Sequence, residues 1–413
     1  MKIGLLHYTG PPTIGGVEQT LAWHAHHLAA FGHDPVLIVG AGVPFEEGIP
    51  MRVLPHVHSR HADVMAVKKD LDRGIVSEAF HRLADRIRQD LAEGARDLDV
   101  LVVHNALSLH KNLALTAALW DLHRAGTWSR LIAWHHDLAW ERAEYASELH
   151  TGEPWDLLRR PWPGVIQVAV SETVCTQLAD LTDVRRDSIL VIPPGVEPAE
   201  FGRWSQTTRD LFASLGLGQA DIVLLLPSRL TRRKNIELAI AIVAALRRRS
   251  GLDIRLLVTG PPGPHNPANE AYLEELLELG RRLQVQDAIH FLYRVDPQAP
   301  RTLDETTVAE LFTVADALLF TSRAEGFGIP ILEAGLARLP VFCTDIPAFR
   351  EGGGDEVTYL SLESSVEESA GLILESLEGD PRYLLRQRVL RQHSWSRLVH
   401  ERLVPLLESS RHG

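Results

Sequence analysis

Residues 317–338 read ALLFTSRAEGFGIPILEAGLAR. Ala317–Thr321 is a short apolar run of strand type, and Ile331, Leu332, Leu336 and Leu339 mark an apolar stripe at helical spacing. Between the two lie Glu325, Gly326, Phe327, Gly328 and Ile329, followed by Pro330. The glycines permit backbone conformations that a side chain forbids, and proline suits the first turn of a helix. The expected result is a strand-to-helix turn whose unpaired amides, Gly326 to Ile329, open at a helix N-terminus. Such a terminus seats an anion, a phosphate above all. Glu325 and Glu333 frame the turn, and a carboxylate accepts hydrogen bonds from two neighbouring hydroxyls of a ribose or hexose. Amides for phosphate beside carboxylates for sugar read as a pocket for a nucleotide sugar; the blander reading is a glycine turn with two solvated glutamates.

The whole chain has room for such a site in one of two domains. Its 413 residues exceed one ordinary core and suit two near two hundred residues each. A composition 45% apolar and 23% charged is that of a globular protein, and a net charge of −12 argues against nucleic acid as a partner. Cys175 and Cys343 both sit in apolar contexts and read as buried reduced thiols in a cytoplasmic protein. No apolar run reaches the length of a membrane span, and the opening MKIGLLHYTG reads as a first core strand rather than a signal peptide.

Strand-like runs recur along the first half: Lys2–Tyr8, Pro35–Gly40, Met51–Leu54, Leu98–Val103, Leu131–Trp134, Val165–Val170 and Ser188–Ile192. After the first comes TGPPTIGGVEQ, where Gly15 and Gly16 make either a tight turn or a close approach to a ligand before a helix begins at Val17. The segment HVHSRH places His56, His58 and His61 at a spacing that fits no zinc pattern and reads as a polar loop. Ser77–Arg96 reads as a helix of mixed charge, unlike a basic membrane-docking helix, which favours a soluble acceptor. Because open α/β sheets bind ligands beyond their strand C-termini, Asn105, His110, Lys111 and Asn112 are acceptor-side candidates, Lys111 for an anionic group. A capped helix start explains them as readily. The run ending His135, His136, Asp137 puts a histidine beside a carboxylate at a strand end, where its ring can be oriented toward a sugar hydroxyl. Residues 141–163, with Trp155 and Trp162 and with Trp140 just before, read as an insertion shaping an acceptor cleft. Ser171 is a helix N-cap.

Pro193, Pro194 and Gly195 break the pattern and mark the domain boundary. The pattern restarts with Ile222–Leu226, followed by PSRLTRRKNIE. Arg229 and Lys234 lie past a strand end where cations reach a diphosphate, whereas Arg232 and Arg233 read as plain surface. Further strands are expected at Ile254–Thr259, Ala288–Leu292, Ala317–Thr321 and Pro340–Cys343. The Pro-rich loop after Gly260 is a candidate lining for the nucleotide base.

Glu325 and Glu333, with seven residues between them, together with Arg229 and Lys234 and the His-Asp at 136–137, resemble the signature of retaining glycosyltransferases of family 4 (group 1). The resemblance runs through nearly the whole chain. It implies the α/β GT-B fold: two Rossmann-like, doubly wound parallel-sheet domains facing each other across a cleft. The boundaries follow as 1–194 for the acceptor-side domain, 195–380 for the nucleotide-sugar domain and 381–413 for a terminal helix crossing back. It further implies a UDP-, GDP- or ADP-hexose donor, no metal or other cofactor, and transfer with retention to a hydroxyl acceptor. His136, Glu325, Arg229 and Lys234 correspond to the catalytic set, with His135 competing for the histidine position. Gly15, Gly16, Arg229, Lys234, Gly326, Phe327, Gly328, Ile329 and Glu333 fall on the donor side, and Asn105, Lys111, Asn112, His135 and Asp137 on the acceptor side. A catalytically silent nucleotide-sugar binder and a sugar-nucleotide epimerase are the rival readings.

Overall fold

The computed structural model describes residues 1–263, 268–295 and 302–409. These form two compact α/β units, one of Met1–Val196 together with the chain from Gln392 onward, the other of Glu197–Arg391. The first holds β1 (Lys2–His7), β2 (Asp34–Val39), β3 (Met51–Val53), β4 (Val100–His104), β5 (Arg130–His135), β6 (Ile166–Ala169) and β7 (Ile189–Val191). They form one parallel sheet in the order β3-β2-β1-β4-β5-β6-β7. Both faces of that sheet are covered, which is why its strands read as unbroken apolar runs rather than alternating ones. Leu101 and Val103 of β4 share a core with Phe80, Ile87 and Leu115 from the helices Glu78–Gly94 and Leu113–Arg124. Val100 and Val102 share another with Leu21 and Leu28 of the helix Gly16–Ala30 and with Trp395, Val399 and Leu403.

The second unit repeats the plan. It holds β8 (Ile222–Leu226), β9 (Ile254–Val258), β10 (Ile289–Phe291), β11 (Ala317–Phe320), β12 (Val341–Thr344) and β13 (Thr358–Leu360). They run parallel in the order β10-β9-β8-β11-β12-β13. In each unit the winding reverses at one place, between β1 and β4 and between β8 and β11. The loops leaving those four strands therefore diverge and leave a crevice at the strand ends, where ligands of such sheets bind.

Three expectations need correction, and one strand is added. The terminal return begins at Gln392, not 381, because Asp316, buried to 3% exposure, holds Arg386 Nε and Gln387 Nε2 at 2.9 Å each. That keeps residues 381–391 on the second unit. Trp155 and Trp162 are buried in the first unit's core and so do not shape a cleft. Leu336 is 88% exposed and Leu332 46%, so the inward stripe of the helix Ile329–Leu336 is Ile331 and Ala334. The strand Thr358–Leu360 has no apolar run long enough to announce it. No helix among the described residues is long and apolar enough to cross a membrane. Both cysteines are free and buried.

Candidate active site

In the second unit the loops after β8 and β11 are laced together. Thr321 Oγ1 donates to the carbonyls of Lys234 (3.2 Å) and Asn235 (3.0 Å), and the Arg323 N–H donates to the Arg233 carbonyl at 2.8 Å. Arg323 Nη2 also reaches Asn235 Oδ1 at 3.1 Å, fixing the buried residue from which the helix Ile236–Ser250 starts. This lacing brings Glu325 onto the cations. Its carboxylate lies 2.5 Å from Lys234 Nζ and accepts from Arg233 Nη1 at 2.6 Å and from Ser322 Oγ at 2.7 Å, with its side chain only 9% exposed.

Burial pushes the Glu325 carboxyl up, but the hydrogen bonds from Lys234, Ser322 and Arg233 outweigh it and hold it below the ordinary range. Burial pulls the Lys234 ammonium down, with Glu325 opposing. Lys234 Nζ also stands 4.9 Å from the Phe320 ring centroid, on a face attractive to a cation. Arg233, read from sequence as plain surface, is therefore part of the cluster; Arg232 turns away to Glu275 and the Tyr272 ring. Arg229 is exposed, and its guanidinium has no ionic partner among the described residues. A side chain on Gly260 would come within 2.6 Å of the Arg229 Cα, so this glycine is required by close approach. Residues 264–267 of the loop beyond it lie outside the described residues.

Gly328 adopts φ +99°, and a Cβ there would meet the Phe349 ring at 2.8 Å, so it is constrained twice over. Gly326 is exposed with free space around it, and Phe327 and Ile329 are exposed apolar residues. No side chain caps the helix that begins at Ile329, with Pro330 in its first turn. Glu333 is exposed and joins Leu303, Val308, Phe312 and Leu336 around a groove of about 760 Å³.

In the first unit Gly15 is the extended N-cap of the helix Gly16–Ala30. A Cβ on Gly15 would collide with the Glu18 carboxylate, which also accepts from Thr9 Oγ1, whereas Gly16 has open space. His135 is buried, its Nε2 bonded to Gln167 Oε1 at 2.7 Å, while His136 follows in the loop and is half-buried. Of the two, His136 is therefore the one open to a ligand. Burial lowers both, His135 to about 4 and His136 to about 3, the latter helped by His7 and His135, so both are neutral at neutral pH.

The carboxylate expected to orient the histidine does something else: Asp137 Oδ1 accepts from Arg142 Nε at 2.6 Å. His136 is held instead by His104, whose Nδ1 is 3.1 Å from His136 Nε2. Asn105, in a left-handed conformation, spends Oδ1 on the His136 N–H at 2.8 Å. Asn112 is buried, capping the helix Leu113–Arg124 through Leu115 N–H and bonding the His56 carbonyl, so it is unavailable to an acceptor. Lys111 rests its Nζ 3.9 Å from the Tyr145 ring centroid beside His110. His56, His61 and Asp63, read from spacing as a polar loop, do come within 4.8 Å of one another, with Arg86 3.8 Å from Asp63.

Residues 207–390 match the family model of glycosyl transferases group 1. The mannosylglucosylglycerate synthase of Petrotoga mobilis is 24% identical over 376 residues, covering 85% of this chain and 84% of that protein. Its counterpart in Thermotoga maritima is 26% identical over 419 residues, covering 91% and 92%. A D-inositol 3-phosphate glycosyltransferase of Actinosynnema mirum reaches 31% over 195 residues, 47% of this chain and 44% of that one. A solved glycosyltransferase from Rickettsia africae aligns with 99% of this chain and 100% of its own at 18% identity, with a TM-score of 0.36. The matched segment spans nearly all of the second unit, and it is that unit which is similar to the group 1 glycosyltransferases.

Proposed function

We propose that this chain is a glycosyltransferase, moving a hexose from a nucleoside-diphosphate sugar to a hydroxyl of a small, soluble acceptor, with retention of configuration and without a metal. The observation that carries this reading is the convergence of Lys234, Arg233, Ser322 and Glu325 at the crevice between β8 and β11. Lys234, Arg233 and Arg229, the last without an ionic partner among the described residues, supply positive charge for a leaving diphosphate, the role a divalent ion has in metal-using transferases. The amides of Gly326 to Ile329 take phosphate oxygens at the helix start, and Glu333 with its groove takes the ribose. The bond from the anomeric carbon to the phosphate oxygen breaks, the bond to the acceptor oxygen forms, and the acceptor proton passes to the departing phosphate.

A carboxylate already bonded to two cations and a hydroxyl is a poor nucleophile. This favours attack on the same face as departure over a covalent intermediate on Glu325. His136 and Lys111, at the strand ends of the first unit, serve the acceptor side. The relatives that span most of the chain are named as makers of mannosylglucosylglycerate, which supports a small polar acceptor. The free cysteines fit a cytoplasmic setting.

The test is incubation with labelled UDP-, GDP- and ADP-hexoses in the presence of a chelator, following transfer to candidate acceptors and slow hydrolysis without one. Turnover of one donor with retained anomeric configuration is expected. Tight binding with no turnover of any donor makes the protein a silent nucleotide-sugar binder instead.

A further inference from the structure

His104 ends β4 with no exposed surface, and the ring is enclosed by other rings. It stacks on Trp134 at 5.5 Å and 25° and lies 5.5 Å from His24 and 5.4 Å from His136. Its Nδ1 faces His136 Nε2 at 3.1 Å, while its own Nε2 is buried without a hydrogen-bond partner among the described residues. Burial, reinforced by His136, His24 and His7, keeps the ring neutral, so it carries one proton. A proton on Nε2 would be a stranded buried donor, which folded proteins avoid more strictly than an unfilled acceptor. A proton on Nδ1 has an acceptor waiting. The same logic fixes His7, whose Nδ1 faces the His104 carbonyl at 3.0 Å and must donate to it.

We infer that His104 is a positioning residue that donates from Nδ1 to His136 Nε2 and so locks His136 as the Nδ1–H tautomer, a hydrogen-bond donor and not a base. His136 is itself neutral, with its Nε2 lone pair occupied, so its one proton sits on Nδ1, which has no partner among the described residues. It then offers a donor to a substrate oxygen, either a sugar hydroxyl or the acceptor's. Asp137, the carboxylate next in sequence, takes no part because it is paired with Arg142. The consequence for transfer rests on the function proposed above; the tautomer does not.

The experiment is nitrogen-15 NMR of ring-labelled wild-type protein at neutral pH, with His136 assigned by its loss in His136→Phe. A protonated Nδ1 and a bare Nε2 on His136 are expected, and the reverse pattern overturns the inference without any variant of His104. His104→Phe then removes the donor, and His136 should move to Nε2–H or to exchange between both forms. His104→Asn, whose amide nitrogen can stand where Nδ1 stood, should restore the wild-type pattern. In transfer assays His104→Phe should lower kcat about tenfold, the worth of one hydrogen bond, with donor KM little changed and with rescue by His104→Asn. An unaltered His136 tautomer in a folded His104→Phe protein also overturns it. If the tautomer is as expected but neither His136 nor His104 variants change transfer, the functional reading of His136 fails and the positioning by His104 stands.

Discussion

Glu325 is the residue on which charge in the second unit converges, and its chemistry follows from its three partners. Removing it by Glu325→Ala leaves Lys234 and Arg233 unpaired, and Lys234→Ala removes the most enclosed cation. Each is expected to reduce transfer by roughly 10²–10³-fold, in line with loss of a preorganised electrostatic group, while circular dichroism and melting remain those of a folded protein. Near-normal turnover in either removes the site assignment. The pH dependence has a definite sign. Because the folded carboxyl is depressed from its ordinary value of 4.5, the stability Glu325 contributes is complete above that pH. It fades as the pH falls through the depressed folded value. Urea midpoints of wild type and Glu325→Gln should therefore differ at pH 7 and converge in acid; a gap that widens in acid contradicts the pairing. Arg233 shows where the sequence stops being informative. Arg229, Arg232, Arg233 and Lys234 are four cations within six residues, and nothing local says that Arg233 turns to Glu325 while Arg232 turns to Glu275.

Among elements, the strand-to-helix junction Thr321–Leu336 is the most constrained. Gly328 combines a positive φ with contact on Phe349, and Phe349 itself stacks on Phe320 at 4.8 Å. Gly328→Ala must strain the backbone and displace that ring, at a cost of about 2–4 kcal/mol, whereas Gly326→Ala, with free space around it, should stay within about 1 kcal/mol. Equal denaturation midpoints for the two variants would deny that contrast. The helix Pro381–Gln392 depends on Asp316 in the same way. Asp316→Ala strands Arg386 and Gln387 and unpairs the Val223 amide, and about 3–5 kcal/mol of stability should go with it, measured by denaturant unfolding. The elements themselves were legible wherever an apolar run was long enough, since strands buried on both faces must be apolar throughout. The strand Thr358–Leu360 and the buried Trp155 and Trp162 were not, because three residues or scattered aromatics carry no period.

For the molecule, each unit has its own sheet, its own covered faces and its own crevice. The first is completed by residues from the far end of the chain: Trp395, Leu398, Val399, Leu403 and Leu407 are buried in its core. A side chain on Gly195 would meet Trp395 at 2.7 Å, and the Val196 N–H donates to the His393 carbonyl at 2.7 Å. A chain cut after Arg391 should lose its first unit to aggregation. Glu197–Arg391 expressed alone should fold and melt higher in a nucleoside diphosphate, since a ligand that binds the folded state raises its midpoint. A soluble truncated chain with an unchanged first-unit melt would contradict the contribution of the terminal residues. What the amino-acid order determined was the repeated strand-and-helix pattern and the loops that carry the chemistry, because glycine, proline and apolar periodicity act over a few residues. Only the tertiary structure decided who bonds whom. His104 lies 32 residues from His136 and Arg233 lies 92 from Glu325. A hydrogen bond exists only when folding brings such atoms to within about 3 Å.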